Sequence, residues 1–443
     1  MAIKKISVMG LGKSGMAAVR FFKKRGYEIF ASDSGLLSLE KIQELKQLEI
    51  PFETGENSKK VLSADVIVVS PGVPAHHPLL QEANRLKIPV WPEIEAAYRF
   101  FPGKLVAITG TNGKSTVTAL VAHLMKENGR DARAVGNIGL PLLEEIDSMN
   151  ATSWAIMEVS SFQLETIVNF RPFISSILNI TQDHLDRHLN FESYVEAKAR
   201  IFENQTNEDV AVLNKDDPVV RNLANRVKAS LIWFGEGEIF CRKNQVVFWR
   251  NGRENILAEY ENFPLPGKHN LQNLAAAVAI CFASGMEKIE KGIETFRGLP
   301  HRMEYVGTVD GVDFYDDSKG TNPAASAAAL FSFEKPIVLI SGGHDKKLDF
   351  TPLVEAAKGR VKAVVALGKD NSKVLNAFSF LENGALIESH DMKDAVKKAF
   401  QKASKGDIVL LAPSCASFDL FRSAEERGDI FKKCVKELRN ESE

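Results

Sequence analysis

The sequence predicts an α/β protein of three domains, each built around a mostly parallel, doubly wound sheet. Three observations predict it. At 443 residues the chain is longer than one hydrophobic core usually serves. Short apolar runs ending in Gly, Pro, Asp or Ser alternate with amphipathic stretches, the pattern of strands that return through helices. That alternation starts afresh twice, so the expected domains are 1–93, 94–300 and 301–443.

In the first domain KISVMG (5–10) reads as a strand, MAAVRFFKKRG (16–26) as a helix closed by Gly26, and YEIFASD (27–33) as the next strand. DVIVVSPG (65–72) and IPVWPE (88–93) are two more. Gly10-Leu11-Gly12-Lys13-Ser14-Gly15 stands between the first strand and helix, with Asp33 ending the second strand. This pattern binds a dinucleotide with Asp33 on a ribose, or cradles a different diphosphate, because such a turn reads pyrophosphate and not nicotinamide. A glycine turn serving helix–strand packing is the third reading. Ser70-Pro71-Gly72, at another strand end, lines the same crevice.

The second domain opens with KLVAITGTNGKSTVTALVAHLMKENGR (104–130). Val117, Leu120, Val121 and Leu124 form the apolar stripe of a helix that stops near Gly129. Between strand and helix lies Gly110-Thr111-Asn112-Gly113-Lys114-Ser115-Thr116. Small residues let backbone N–H groups approach phosphate oxygens, and a helix N-terminus adds partial positive charge. Lys114 suits the outer phosphates and the Ser115 hydroxyl suits Mg²⁺. Ile108 stands where the longer GxxxxGK[ST] motif has its first glycine, so this loop is shorter.

Further strands are read at SWAIMEVSS, ISSILNIT and VAVLN. Glu158, in Met157-Glu158-Val159-Ser160-Ser161-Phe162-Gln163, is placed to hold the Mg²⁺ that bridges ATP phosphates, although a lone glutamate is usually a solvated charge. Asp183-His184-Leu185-Asp186-Arg187-His188 admits a zinc pair, phosphate and metal chemistry, or a structural turn. Zinc is disfavoured, since no companion cysteine or HExxH pattern occurs. Lys198 reads from the residues as an ordinary solvated helix lysine; a neutral cleft amine there would instead capture CO₂ as a carbamate, a better Mg²⁺ ligand than an ammonium. Asn270 and Asn273, in Gly267-Lys268-His269-Asn270-Leu271-Gln272-Asn273, place two amides at the start of a helix, where they read an adenine edge or cap the helix.

The pattern of the third domain is VDFYDDS, PIVLISGG, AVVALG and DIVLLAPS with helices between them. Arg302, in Leu299-Pro300-His301-Arg302, is positioned to clamp a γ-phosphate. Asp316-Asp317-Ser318-Lys319-Gly320-Thr321-Asn322 is a polar loop after a strand, suited to chemistry or to capping. Lys346 and Lys347 follow Gly342-Gly343, and Ser414-Cys415-Ala416-Ser417-Phe418 follows another strand. No base beside Cys415 supports thiol catalysis.

The bulk composition narrows the partners. Lys plus Arg (56) nearly balances Asp plus Glu (57), which leaves no broad basic field for nucleic acid or a membrane surface. Four separated cysteines without CxxC spacing are expected as reduced thiols, and no signal-type or membrane-spanning apolar stretch occurs. A cytoplasmic protein is expected.

TGTNGKST, EVSSFQ, NITQDHLDRH, AKARIF, GKHNxxN, LPHR and DDSKGTN, in this order, resemble the Mur ligase family over essentially the whole chain. GLGKSG, SPGVP, VGNIG, YDDSKGTN and APSCASFD resemble its D-glutamate-adding branch. The resemblance implies an N-terminal Rossmann-like UDP-binding domain, a central P-loop ATPase-like domain and a C-terminal Rossmann-like domain. It implies ATP-dependent ligation of D-glutamate to UDP-N-acetylmuramoyl-L-alanine through an acyl phosphate, in peptidoglycan precursor synthesis, by a monomer.

Lys13, Ser14, Asp33 and Ser34 then fall on diphosphate and uracil, and Ser70, Gly72, Asn137, Gly139, Ser160 and Gln163 on the rest of that substrate. Lys114, Ser115 and Glu158 match the ATP–Mg²⁺ group; His184 and a carbamylated Lys198 match a second Mg²⁺. Asn270, Asn273, Arg302 and Asp317 match adenine, phosphate and ribose contacts, while Lys319, Thr321, Lys346, Ser417 and Phe418 match glutamate. The catalytic set implied is Lys114, His184, Lys198 and Arg302. Another Mur-type or folylpolyglutamate-type ligase is the nearest alternative. An NAD-dependent dehydrogenase would leave the loop at 110–116 unexplained, and a non-catalytic nucleotide switch is the last.

Overall fold

The computed structural model describes residues 3–184, 187–344, 348–382 and 384–442. The chain divides into two compact units, one of residues 1–180, 190–259 and 275–292, the other of 181–189, 260–274 and 293–443.

The first unit contains two sheets. Strands β1 (Lys5–Met9), β2 (Glu28–Asp33), β3 (Phe52–Thr54), β4 (Val66–Val69) and β5 (Val90–Pro92) pair in parallel in the order β3-β2-β1-β4-β5. Ile6, Val8, Val66 and Val68 are buried because helices cover the sheet, the reason parallel strands read as unbroken apolar runs. The chain turns back between β1 and β4, so a crevice opens at their carboxyl ends.

The second sheet comprises β6 (Lys104–Thr109), β7 (Ala132–Gly136), β8 (Trp154–Glu158), β9 (Ile174–Ile177), β10 (Val210–Asn214), β11 (Ser230–Phe234), β12 (Ile239–Arg242), β13 (Gln245–Arg250) and β14 (Arg253–Glu259). Its order is β14-β13-β12-β11-β10-β9-β6-β8-β7. The helix Lys114–Glu127 follows β6, and Val117, Leu120, Val121 and Leu124, its expected apolar stripe, are all fully buried. The antiparallel extension β12–β14 does not appear in the sequence reading. Its tight turns use Lys243-Asn244 and Asn251-Gly252 in the left-handed region, and Asn-Gly is the residue pair that such hairpins favour.

The second unit holds β15 (Glu304–Val309), β16 (Val312–Asp316), β17 (Ile337–Gly342), β18 (Val361–Leu367), β19 (Leu386–Ser389) and β20 (Ile408–Ser414), in the order β15-β16-β20-β17-β18-β19. Only β15 runs antiparallel, joined to β16 through Asp310-Gly311. Separate apolar clusters cover the two faces, one around Leu339, Leu410 and Phe378, the other around Val338, Phe314 and Phe431. With the strands sandwiched, polar loops are left at their carboxyl ends. Those loops carry the residues of interest.

Candidate active site

The turn after β1 is shaped by its glycines. Gly10 has φ +84°, and a methyl group on Gly15 would lie 1.9 Å from the carbonyl oxygen of Gly10. Gly15 is thus the packing glycine that lets the helix Lys13–Lys24 press against β1. Asp33 spans the turn: its carboxylate accepts the N–H of Leu11 at 2.5 Å and that of Gly35 at 2.8 Å. Ser70 donates to the Gly10 carbonyl at 2.6 Å, tying the β4 end to the same turn. Lys13 is exposed and its ammonium donates to the Gly139 carbonyl. Ser14 is half-buried, and Ser34 and Gly72 are exposed beside this crevice.

The loop after β6 gathers more charge. Gly110 (φ +154°) and Gly113 (φ +83°) adopt backbone that other residues rarely accept, and Gly113 caps the helix Lys114–Glu127. The ammonium of Lys114 donates to the carbonyls of Gly110 (2.9 Å) and Thr111 (2.8 Å). Lys198, on the helix Phe191–Ala199, donates to the same Gly110 carbonyl at 2.7 Å and approaches the Thr109 hydroxyl at 3.3 Å. It is 1% exposed, so the solvated lysine favoured by the residues alone is corrected: this helix face packs inward against the loop. Tyr194, one turn earlier, reaches the Thr111 hydroxyl at 3.1 Å. Ser115 and Thr116 are buried at the helix start.

Glu158 ends β8 in register with Ile108 on β6, beside this loop. Asn137 donates to its Oε1 at 2.8 Å; its Oε2 is buried and meets no hydrogen-bond partner among the described residues. An enclosed carboxylate oxygen without a donor is what a hard cation would satisfy. Ser160 and Gln163 form a capping box at the helix Ser161–Leu164, so part of their hydrogen bonding serves the helix.

In the second unit, the His184 backbone has φ +54° and its ring lies 3.7 Å from Asp183, whose carboxylate accepts the His184 N–H at 2.9 Å and the Asn322 amide at 3.2 Å. Asn270 donates to the Pro266 carbonyl and accepts from Asn273 at 3.0 Å, so the two amides form one edge and Asn270 does not cap the helix. Asp317 is buried and accepts the N–H of Met303. Burial pushes its carboxyl up to about 7, while the positive charge of Arg302 draws it back. Lys319 pairs with Glu425 at 3.4 Å, and Thr321 is half-buried. Ser417 is buried and Phe418 is 75% exposed. Lys346 lies outside the described residues.

Residues 4–91 match the MurD-like N-terminal domain of the Mur ligases, 108–281 the Mur ligase middle domain, and 301–415 the Mur ligase glutamate ligase domain. The chain belongs to the Mur ligase family. It is therefore an ATP-dependent ligase that forms an amide bond. Two relatives named UDP-N-acetylmuramoylalanine--D-glutamate ligase are each 42% identical to it. That from Thermoanaerobacter sp. (strain X514) aligns over 98% of this chain and 99% of its own, that from Koribacter versatilis (strain Ellin345) over 98% of both. Among solved structures, the pseudomurein peptide ligase type C from Methanothermus fervidus has a TM-score of 0.61 at 20% identity, covering 98% of this chain and 100% of that one. MurF ligase from Thermotoga maritima, solved with ADP, has a TM-score of 0.60 at 17% identity, covering 98% and 96%. These two share the three-domain fold.

Within this Mur ligase the sequence reading passed over Asn179. Its side chain accepts the N–H of Asn112 at 2.8 Å and donates to the Asn112 carbonyl at 3.1 Å, while its own carbonyl accepts from Thr111. The tripeptide Asn179-Ile180-Thr181 before Asp183 was the available signal. Also passed over is a knot of His301, Glu304 and Asp316: the ring of His301 bonds Asp316 at 2.8 Å, and Glu304 accepts the His301 N–H at 2.7 Å. It fixes the Leu299–Arg302 turn to the loop after β16, since Lys319 in turn donates to the His301 carbonyl.

Proposed function

We propose that this chain joins D-glutamate to UDP-N-acetylmuramoyl-L-alanine, with ATP converted to ADP and phosphate, in the synthesis of the peptidoglycan precursor. The single observation that carries the geometry is the convergence of Lys114 and Lys198 on the Gly110 carbonyl beside the unpartnered oxygen of Glu158. Two separate glycine turns, one for a diphosphate and one for a reacting triphosphate, fit a uridine-linked substrate and ATP. The names of the relatives supply the glutamate. The domain cuts at 93 and 300, a cytoplasmic setting and a monomer belong to the same reading; no described helix is long and apolar enough to cross a membrane.

The alanyl carboxylate oxygen attacks the γ-phosphorus, the bond to the β–γ bridging oxygen breaks, and ADP leaves. The amine of D-glutamate then attacks the acyl carbon, phosphate departs, and the nitrogen gives up its proton. Both steps bring anions together, so fixed positive charge lowers the barrier most. Lys114 supplies it at the outer phosphates and Arg302 at the γ-phosphate. The backbone amides of 110–116 hold the chain of phosphates, and Asn270 and Asn273 hold adenine, with Asp317 on the ribose.

Mg²⁺ fits the residues present. Glu158 offers a buried acceptor and Ser115 a hydroxyl for one ion; His184 and Lys198, as its carbamate, would hold the other. The ions supply charge neutralisation between nucleophile and phosphate. Lys198 is buried beside the Gly110 carbonyl, out of bulk water. Lys13, Ser14, Asp33 and Ser34 bind diphosphate and uracil, Ser70, Gly72, Asn137, Gly139, Ser160 and Gln163 the muramoyl-alanine part, and Lys319, Thr321, Lys346, Ser417 and Phe418 the glutamate.

ADP release in the presence of UDP-N-acetylmuramoyl-L-alanine and a panel of amino acids tests the proposal. Turnover with D-glutamate alone is expected. Turnover with L-alanine or a diamino acid instead would move the chain to another branch of the family.

A further inference from the structure

Glu93 is a buried acid that the reaction above does not use. It opens the helix Glu93–Phe100 directly after β5 and is 2% exposed. The backbone N–H of Leu143 lies close enough to favour its ionised form, yet its Oε1 is enclosed and meets no hydrogen-bond partner among the described residues. Enclosed polar atoms without partners are rare in folded proteins, and each calls for a role. Glu93 lines a small cavity of about 10 Å³ together with Ser70 and Pro71 at the end of β4 and with Phe162 and Gln163. That volume admits one water-sized oxygen and nothing as large as a sugar ring. Ser70 and Gln163 are residues placed on the muramoyl-alanine side of the site.

We propose that Glu93 is a positioning residue of the nucleotide-sugar site, its carboxylic acid donating a hydrogen bond to the single oxygen this cavity admits and so holding the Ser70 turn against the Gln163 helix. The carboxylate nearest to it favours the protonated acid, although Arg20 of the helix Lys13–Lys24 pairs with that carboxylate, Glu144, at 2.7 Å. Glu144 faces it from the helix Leu142–Glu145, Glu165 lines the same cavity, and Glu95 follows on its own helix with its carboxylate taken by the N–H groups of Val168, Asn169 and Phe170. Arg99 pairs with Glu95 and not with Glu93. Burial first, and then the charge of Glu144, raises the Glu93 carboxyl to about 8, so the donor proton is present at neutral pH.

The inference rests on the substrate reading given above, and the test separates the two. KM values for UDP-N-acetylmuramoyl-L-alanine, ATP and D-glutamate are measured on the full chain across the pH range from neutral to about one unit above the Glu93 pKa. In the wild type the KM for the nucleotide sugar rises as the acid ionises, while the other two do not follow it. Glu93→Gln, which keeps a neutral donor, stays within about twofold of wild type at neutral pH and loses that pH dependence. Glu93→Leu raises the nucleotide-sugar KM about tenfold at all pH values, the cost of one lost hydrogen bond. A flat wild-type profile, or a rise of all three KM values together in the variants, overturns the role of Glu93. If Glu93→Leu does not fold, the profile of Glu93→Gln against wild type decides alone. A wild type inactive with this substrate pair would strike the reading of the reaction instead.

Discussion

The two glycine turns of the first unit share a grammar and differ in what they collect. Each follows a parallel strand, opens a helix and places a glycine in the left-handed region. Around Gly10–Gly15 the one lysine is exposed and reaches away to Gly139, while Asp33 occupies a backbone N–H of the turn. Around Gly110–Lys114 two lysine side-chain nitrogens converge on one carbonyl, a buried carboxylate stands alongside, and Asn179 fixes the loop by reciprocal bonds. The first arrangement suits a diphosphate that is held and not changed. The second suits phosphates whose charge redistributes during reaction, because preorganised charge in a dry site acts there most strongly. On the proposed function, binding and chemistry are separated between two versions of one turn.

Removing the cation of the second turn is the hardest test of that division. Lys114→Ala is expected to lower D-glutamate-dependent ADP release about 10³-fold, the scale found when one fixed electrostatic contact to a transition state is lost. Unchanged turnover would dissolve the distinction between the turns. Lys198→Ala is expected to cost about 10²-fold. Small carboxylic acids should restore part of that loss, since they can replace the anionic oxygens of the carbamate but not an ammonium. Full activity in the alanine variant would remove the carbamate from the reaction.

Lys198 also shows where local pattern was silent and only the family resemblance marked the residue. The glycines, the stripe from Val117 to Leu124 and most strands were legible, because each is a local pattern set by backbone freedom or by periodicity. A lysine on a short helix carries no such mark. Only the packing of Phe191–Ala199 against the loop reveals that Lys198 faces inward to the Gly110 carbonyl. Asn179 and Glu93 were missed for the same reason, as their roles depend on residues far along the chain. The β12–β14 hairpin was missed for a different one. Asn251-Gly252 signalled it locally, but the alternating strand–helix pattern on either side drew attention to parallel strands.

Alanine substitutions in the first turn sharpen the comparison by separating packing from ligand approach. In Gly15→Ala the new methyl meets backbone atoms of Gly10 at 1.9 and 2.9 Å, so the strand and helix must move apart. A stability loss of about 1–3 kcal/mol is expected in thermal or denaturant unfolding. A methyl at Gly12 meets nothing within 4 Å, and Gly12 already has an extended conformation open to any residue. Gly12→Ala should therefore change stability by no more than about 1 kcal/mol, the usual scale of a helix-cap substitution. Its effect should fall on the KM for the nucleotide sugar, since the methyl stands where a diphosphate would approach the backbone. Equal unfolding midpoints for the two variants would mean that Gly15 is not the packing glycine.

The smallest effect is expected where the two turns look most alike on paper, at Lys13 against Lys114. Both lysines stand at the first position of their helices. Lys13, however, is exposed, so water and salt screen its charge, and an exposed ion contact is typically worth under about 1 kcal/mol. Lys13→Ala should then raise the KM for UDP-N-acetylmuramoyl-L-alanine only a few-fold, roughly the factor that such an energy allows, with kcat unchanged. The rise should shrink with added salt, because a screened contact contributes less as ionic strength increases. A fall in kcat comparable to that of Lys114→Ala would place Lys13 at the reacting phosphate and make the first turn catalytic as well.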